Sequence, residues 1–309
     1  MPEGSPRVTV LMPTHDHGAL IHSAIRSALA QSFADFELLV VGDGVPDETP
    51  GIVAEYGKAD PRVRYFDFPK GPRFGELHRH HVLTHQARGS LVCYLADDDI
   101  WLPHHLAHMC ELLREADFAQ AFRVTVVDDQ DKVFVGDGHF ADPWHRRELL
   151  DGRNFVGLSA AGHTMELYRR APHGWRTAPQ DVPSDWYMWS QLLALEPCRA
   201  VTGSRPSVIG LAQALRRDWS FERRRAELLR WEAFAAAPGA EAELSRIAFE
   251  WLFLRRANLE RAHAEHRRAV DDCRAACASH EARLRELGDS YAEAMAEIER
   301  LRAKGPGRR

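Results

Sequence analysis

The chain has 309 residues, enough to bury a substantial core as one large domain or two ordinary ones. Its hydrophobic share of 45% and charged share of 28% are ordinary for a soluble globular protein, and a formal charge of −5 gives no global bias toward nucleic acid. The five cysteines, Cys93, Cys110, Cys198, Cys273 and Cys277, form no CxxC pair, which argues against a zinc knuckle or a disulfide framework.

The polar start runs into "RVTVLM", too short for a signal peptide, and no stretch approaches the roughly 20 apolar residues of a membrane span. A cytoplasmic protein without a membrane span is expected. From that first strand the chain alternates short β-rich runs with helix-like segments: a helix over residues 19–31, the strand "FELLVV", a helix over 47–57 and the strand "RVRYFDF". Ile21, Ile25, Ala28 and Leu29 give the first helix one apolar stripe. A helix over residues 76–87, the strand "SLVCYL", a helix over 103–115 and a strand over 118–127 follow, with a hairpin turn at residues 128–131. Residues 136–160 read as loop, 163–168 as strand, 184–195 as helix, and 198–202 and 206–210 as two short strands. Strands as apolar as "ELLVV" suit a parallel sheet covered on both faces, so the fold class is α/β.

Past residue 218 glycine and proline become rare and the pattern turns helical, broken once at "APGAE". Val270, Cys273, Cys277, His280, Leu284, Leu287, Tyr291, Ala294, Ile298 and Leu301 alternate spacings of three and four, the seam of a coiled coil. Two outcomes stay open: a single helix docked on its own domain, or a homodimer through this C-terminal helix. The expected divisions are a domain over residues 1–215, a helical segment over 216–262 and a long coiled-coil helix over 263–309.

"YLADDDIWLP" sets Asp97, Asp98 and Asp99 side by side just past a strand, and Asp43 in "LVVGDGVPDET" lies just past another. Strand ends in a parallel sheet are where ligands collect, and converging carboxylates suit a hard divalent cation such as Mg²⁺ or Mn²⁺. Taken alone, the triplet reads first as a solvated turn capping the next helix, ahead of a metal site. Seventeen histidines include His78, His81 and His85 on one face of a helix and His104 and His108 one turn apart. No nearby cysteine or carboxylate completes a zinc set with them, so packed or solvated histidines are expected.

Together, "VTVLMPTHDHGALIHSAIRSALAQSFADFELLVVGDGVPDET" and "ARGSLVCYLADDDIWLP" resemble the nucleotide-sugar glycosyltransferases of the GT-A fold, family 2, over roughly residues 7–215. The resemblance implies a Rossmann-like, mixed but mostly parallel sheet flanked by helices, here carrying a C-terminal helical extension. It implies that Pro13, Thr14 and His15 contact the nucleobase, that Asp43 holds base or ribose, that Asp97 faces the nucleotide and that Asp98 holds the metal, with Asp99 beside it. The chain departs from the pattern at Gly42 and Ala96, where relatives carry acids. "PSDWYMWSQLL" resembles the stretch that supplies the general base, which would be Asp185. Arg73, Arg79, His163 and Arg216 fall where relatives line the donor or acceptor.

The expected activity is an inverting, metal-dependent transfer of a sugar from a nucleotide-sugar donor, by default a UDP-sugar, to an unknown acceptor. Two rivals remain. A sugar nucleotidyltransferase would carry a glycine-rich, basic phosphate loop after the first strand, where "PTHDHG" stands. A non-catalytic nucleotide-binding scaffold is suggested by Gly42, Ala96 and the long helix.

Overall fold

The computed structural model describes residues 4–127, 132–136, 138–211 and 215–303. Strands β1 (Val8–Thr14), β2 (Phe36–Asp43), β3 (Val63–Phe68) and β4 (Leu91–Tyr94) are parallel neighbours in the order β3-β2-β1-β4. Beyond β4 the sheet becomes mixed. It continues through β8 (Ala161–Thr164), β6 (Phe118–Val126), β9 (Ala200–Leu211) and β5 (Ile100–Trp101), with β7 (Val133–Val135) paired to β6. Four pairings are antiparallel, all in this second half.

The period of two along each central strand sorts side chains into two cores. Val8, Val10, Met12, Leu38, Val40 and Cys93 face one, with α1 (Ile21–Leu29), α2 (Glu48–Ala59) and α4 (His105–Leu112) packed over them. Leu11, Leu39, Val41, Val92 and Tyr94 face the other, under α3 (Glu76–His85), α5 (Pro143–Leu150), α6 (Met165–Arg170) and α7 (Ser184–Leu193). Both faces are dry, which is why β1 and β2 read as unbroken apolar runs.

A third cluster joins β5, β6 and β9 to α8 (Phe221–Ala236) and the first turns of α9 (Ala240–Ala303) through Leu228, Trp231, Ala235, Leu244 and Ala248. The chain divides into compact units at Met1–Trp251 and Leu252–Arg309. Residues after 215 therefore supply core to the sheet domain, and α8 is not a separate segment. Within the second unit, Leu284, Leu287, Tyr291, Ile298 and Leu301 of the heptad seam are exposed. Among the described residues no helix is long and apolar enough to cross a membrane.

Several local expectations change. Residues 136–160, read as loop, contain α5, whose start is marked by Asp142 accepting from the Trp144 amide at 2.9 Å and by Pro143 in the first turn. The strand expected over 163–168 ends at Thr164, which caps α6 by accepting from the Leu167 amide at 3.1 Å. The two strands expected near 198–210 are one, β9, with register shifts opposite Gln120, Phe122 and Arg123 that accommodate Pro206. The hairpin turn at 128–131 lies outside the described residues, though Val126 and Val133 pair across it.

His163, expected at the acceptor side, is instead a core residue of β8. It is fully buried, its Nε2 lies 2.7 Å from the Tyr94 hydroxyl and its ring stacks on Tyr168. Burial lowers its pKa to about 4, against a smaller opposing effect of the Thr164 carbonyl. Between pH 6.5 and 4 the unfolded chain binds a proton that the folded chain refuses, so this group removes stability as pH falls through that window. Thermal melts should show that acid loss in the wild type, and a His163→Leu variant, less stable at pH 7, should show a shallower slope.

Candidate active site

β1 and β4 are parallel neighbours, so the loops that leave them open onto one crevice. Pro13, Thr14, His15, Asp16 and His17 follow from β1, and Ala96, Asp97 and Asp98 follow from β4. Phe74, Arg79 and Leu158 complete the wall of a cleft of about 280 Å³. Of the residues singled out in the sequence, the structure thus brings Pro13, Thr14, His15, Arg79, Asp97 and Asp98 together.

The three aspartates have three different environments. Asp97 Oδ1 lies 2.6 Å from His17 Nδ1, while its Oδ2 is buried without a hydrogen-bond partner. Asp98 Oδ2 lies 4.0 Å from His17 Nε2 and 3.8 Å from an Arg224 nitrogen. Asp99 turns away from the cleft, accepting from the Leu211 amide at 2.9 Å, the Ser159 hydroxyl at 2.6 Å and Arg123 at 3.3 Å. Its oxygens are occupied in joining the β4 loop to β9. The expectation of Asp99 as a metal ligand is corrected on that ground.

Electrostatics separate the three as well. Burial raises the Asp98 pKa and the Asp99 charge raises it further, with His17 opposing. Burial would raise Asp97 too, but the charge and hydrogen bond of His17 hold it below the usual carboxylate range. Burial works against a charged His17, yet Asp97 and Asp98 outweigh it and push its pKa up to about 9. His17, Asp97 and Asp98 offer one ligand atom each within 4.8 Å of one another, the one such metal-competent group among the described residues. The donor set and the unpartnered Asp97 oxygen fit a small divalent cation. Of the other histidines singled out in the sequence, His78 stacks on Phe68, His104 lies beside Glu241 and His108 is buried, while His81 and His85 are exposed.

Asp43 is buried next to, not within, the cleft wall. Its carboxylate accepts from Lys70 Nζ at 2.7 Å and the Gly71 amide at 2.5 Å. Gly75, at φ +68, makes room for it, since a Cβ there would stand 2.6 Å from Asp43 Cγ. Beside Gly42 the space is filled from β3 by the Tyr65 hydroxyl and the Asp67 carboxylate.

Arg73 and Arg216 are corrected. The Arg73 guanidinium donates to the carbonyls of Ala178 and Pro179, tying two loops together. Arg216 is buried, pairs with Glu227 at 2.5 and 2.6 Å and donates to the Val126 carbonyl, so it anchors α8. Arg79, by contrast, is buried at the cleft with its guanidinium 4.8 Å from the Trp175 ring centroid and its Nε unpartnered. Its charge also reaches Asp185 and Asp43.

Asp185 does not line the cleft. It sits at the first turn of α7, bonded to the Trp186 amide at 2.8 Å; burial raises its pKa, partly offset by that amide, Asn154 and Arg79.

Sequence reading missed His17, two residues past His15 in "PTHDHG"; only the adjacency of β1 and β4 shows that it meets Asp97. Arg224 was missed because it comes from α8, far along the chain.

A parallel β3-β2-β1-β4 half-sheet feeding a mixed half, with paired carboxylates at the β4 exit, defines a GT-A glycosyltransferase fold. Solved structures agree: Staphylococcus aureus TarS residues 1–349 superposes with a TM-score of 0.53 at 17% identity, covering 80% of this chain and 70% of that one. A mannosyltransferase from Pyrobaculum calidifontis, in complex with GDP-Man and Mn²⁺, gives 0.51 at 22% identity over 80% of this chain and 70% of that one. Residues 9–174 match the model of glycosyl transferase family 2, and the chain belongs to that family. A Campylobacter jejuni β-1,3-glucosyltransferase acting on GalNAc(5)-diNAcBac-PP-undecaprenol is 30% identical over 172 residues, 54% of this chain and 52% of that protein. An uncharacterized glycosyltransferase of Rickettsia typhi is 28% identical over 113 residues, 37% of this chain and 34% of that one. The chain therefore spans about half the length of the first relative and a third of the second.

Two substitutions in adjacent residues should separate their roles. Asp99→Asn breaks a buried charged hydrogen-bond set and should cost about 2–3 kcal/mol in denaturant unfolding. Asp98→Asn relieves repulsion and should leave stability within about 1 kcal/mol of wild type or raise it.

Proposed function

We propose that this family 2 protein is an inverting transferase that moves a sugar from a nucleoside-diphosphate sugar to an acceptor hydroxyl. The observation that carries the reading is the buried Asp97–Asp98 pair at the β4 exit, facing the β1 loop across a cleft into which Arg79 also reaches. Asp97 and Asp98, with His17 beside them, would hold Mn²⁺ or Mg²⁺. When bound, such an ion supplies Lewis-acid stabilisation of the charge that develops on a departing diphosphate.

The rest of the chemistry falls to the chain. Pro13, Thr14 and His15 form the wall on which a base and ribose rest, and Arg79 presents positive charge to an anionic donor. Asp43 would meet the base or ribose once Lys70 and Gly71 yield its oxygens. Asp185 lies outside the cleft wall, within reach of Arg79, so an acceptor would have to extend past Arg79 to meet it; there it would take the hydroxyl proton as that oxygen bonds to the anomeric carbon and the diphosphate leaves from the opposite side, giving inversion. Burial raises the Asp185 pKa, which makes its carboxylate a better proton acceptor than an exposed one. The solved TarS fragment is recorded with UDP-GlcNAc, and the Pyrobaculum protein with GDP-Man, so the donor screen begins with both bases and takes a UDP-sugar as its default.

The screen measures free nucleoside diphosphate released from a panel of nucleotide sugars with Mn²⁺, with Mg²⁺ and with EDTA. Metal-dependent release is expected; nucleotide binding without release would favour a non-catalytic scaffold, and pyrophosphate exchange a nucleotidyltransferase. Asp185→Asn should lower transfer at least about 10³-fold while nucleoside-diphosphate affinity stays within threefold. Near-normal turnover in that variant would remove the base assignment.

The long helix has its own reading: its seam pairs with a second copy of the chain. In a parallel, in-register pair Glu297 of one copy meets Arg302 of the other, five residues on, with opposite charge flanking the Ile298 and Leu301 layers. Sedimentation of the full-length protein should give a dimer, and Leu284→Arg with Ile298→Arg should give a folded monomer.

A further inference from the structure

We propose that His17 is a nitrogen ligand of the cation site and makes the site select transition-metal ions such as Mn²⁺ over Mg²⁺; this rests on the reading of Asp98 as a cation ligand. His17 is buried on the loop that leaves β1, with its carbonyl accepting from the Leu20 amide at 3.0 Å. Gly18 follows at φ +48, a backbone conformation that favours glycine, in the turn that leaves His17.

The ring's two nitrogens have distinct surroundings. Nδ1 is 2.6 Å from Asp97 Oδ1. Nε2 is 4.0 Å from Asp98 Oδ2 and 3.8 Å from Asp16 Oδ1. Histidines that ligate metals commonly donate from one nitrogen to a carboxylate, which fixes the ring and turns the other nitrogen toward the ion. Two donor atoms each about 2.1 Å from a shared ion lie at most about 4.2 Å apart, and the Nε2 to Asp98 separation falls inside that limit. A second, independent sign is the buried Asp97 Oδ2, which has no partner in a residue only 6% exposed.

The chemistry follows from the donor set. The set is two carboxylates and one imidazole, since Ala96 beside Asp97 offers no side-chain donor. Imidazole nitrogen suits first-row ions such as Fe²⁺ or Zn²⁺, and Mn²⁺, although at home with oxygen, accepts it more readily than Mg²⁺, which holds to near-ideal all-oxygen surroundings.

The test uses full-length protein with each metal alone and no sugar nucleotide, so it does not depend on turnover. Calorimetry should give Mn²⁺ binding at least about tenfold tighter than Mg²⁺. Pulsed electron paramagnetic resonance of the Mn²⁺ form should show nitrogen coupling. His17→Gln should abolish that coupling and weaken Mn²⁺ about 10–100-fold with Mg²⁺ changed less than threefold. His17→Asp, which restores an oxygen donor, should bind Mg²⁺ at least as well as Mn²⁺ and guards against a variant that fails to fold. Equal Mn²⁺ and Mg²⁺ affinity in the wild type, or nitrogen coupling that is absent or survives in His17→Gln, overturns the assignment. Metal binding as expected with no nucleotide release from any donor would sink the transferase reading alone.

Discussion

Three consecutive carboxylates buried at one strand exit set the constraint that the surrounding structure satisfies. A buried charge is tolerable only when paired or hydrogen-bonded. The fold meets this by sending each aspartate to a different part of the chain: Asp97 to the β1 loop at His17, Asp98 toward Arg224 on α8, and Asp99 to Ser159, Arg123 and the backbone of β9. One tripeptide thereby joins the β1 loop, the far half of the sheet and α8. Asp99 does structural work so that its two neighbours can face the cleft.

The same logic governs the acids around the site. Glu227 is buried against Arg216, and Glu232 is held by Ser23 and Arg26, so α8 is fastened to α1 and to the end of β6 through ion pairs as well as through Leu228 and Trp231. Buried pairs of this kind are weak arguments for net stability but costly to break singly, which makes them devices of position. The position they fix is that of Arg224 beside Asp98.

What could be read in the sequence follows the range of the interaction involved. The β1, β2 and β4 runs and the α1 stripe were legible because period and composition are local, and they fix the parallel half-sheet on which the site stands. Asp97 and Asp98 were legible through a local motif. Arg73, His163 and Arg216 look like site residues in sequence, but each is committed to a partner distant in the chain: Ala178 and Pro179, Tyr94, and Glu227 with Val126. A single sequence gives no access to those pairings. The start of α5 was legible and overlooked, since Asp142 followed by Pro143 is an ordinary helix entrance. By contrast, β9 passes through Gly203 and Pro206, residues that locally signal a turn, and only the bulged register against β6 lets it continue.

The family match ends at residue 174, yet Asp185 and Arg224 lie beyond it. The matched part supplies every strand of the sheet except β9, together with the β1 and β4 exits that line the cleft. Two charged groups near the cleft come from the part of the chain after it: Asp185 on α7, whose carboxyl feels the charge of Arg79, and Arg224 on α8 beside Asp98. His17 lies inside the match, on the β1 exit, and brings its ring nitrogens beside the Asp97–Asp98 pair. On β2, Gly42 stands in register opposite Asp67 of β3, and the space that a side chain at 42 would take is filled by the Asp67 carboxylate and the Tyr65 hydroxyl, so the sheet leaves no room for an acid beside Asp43 without moving β3.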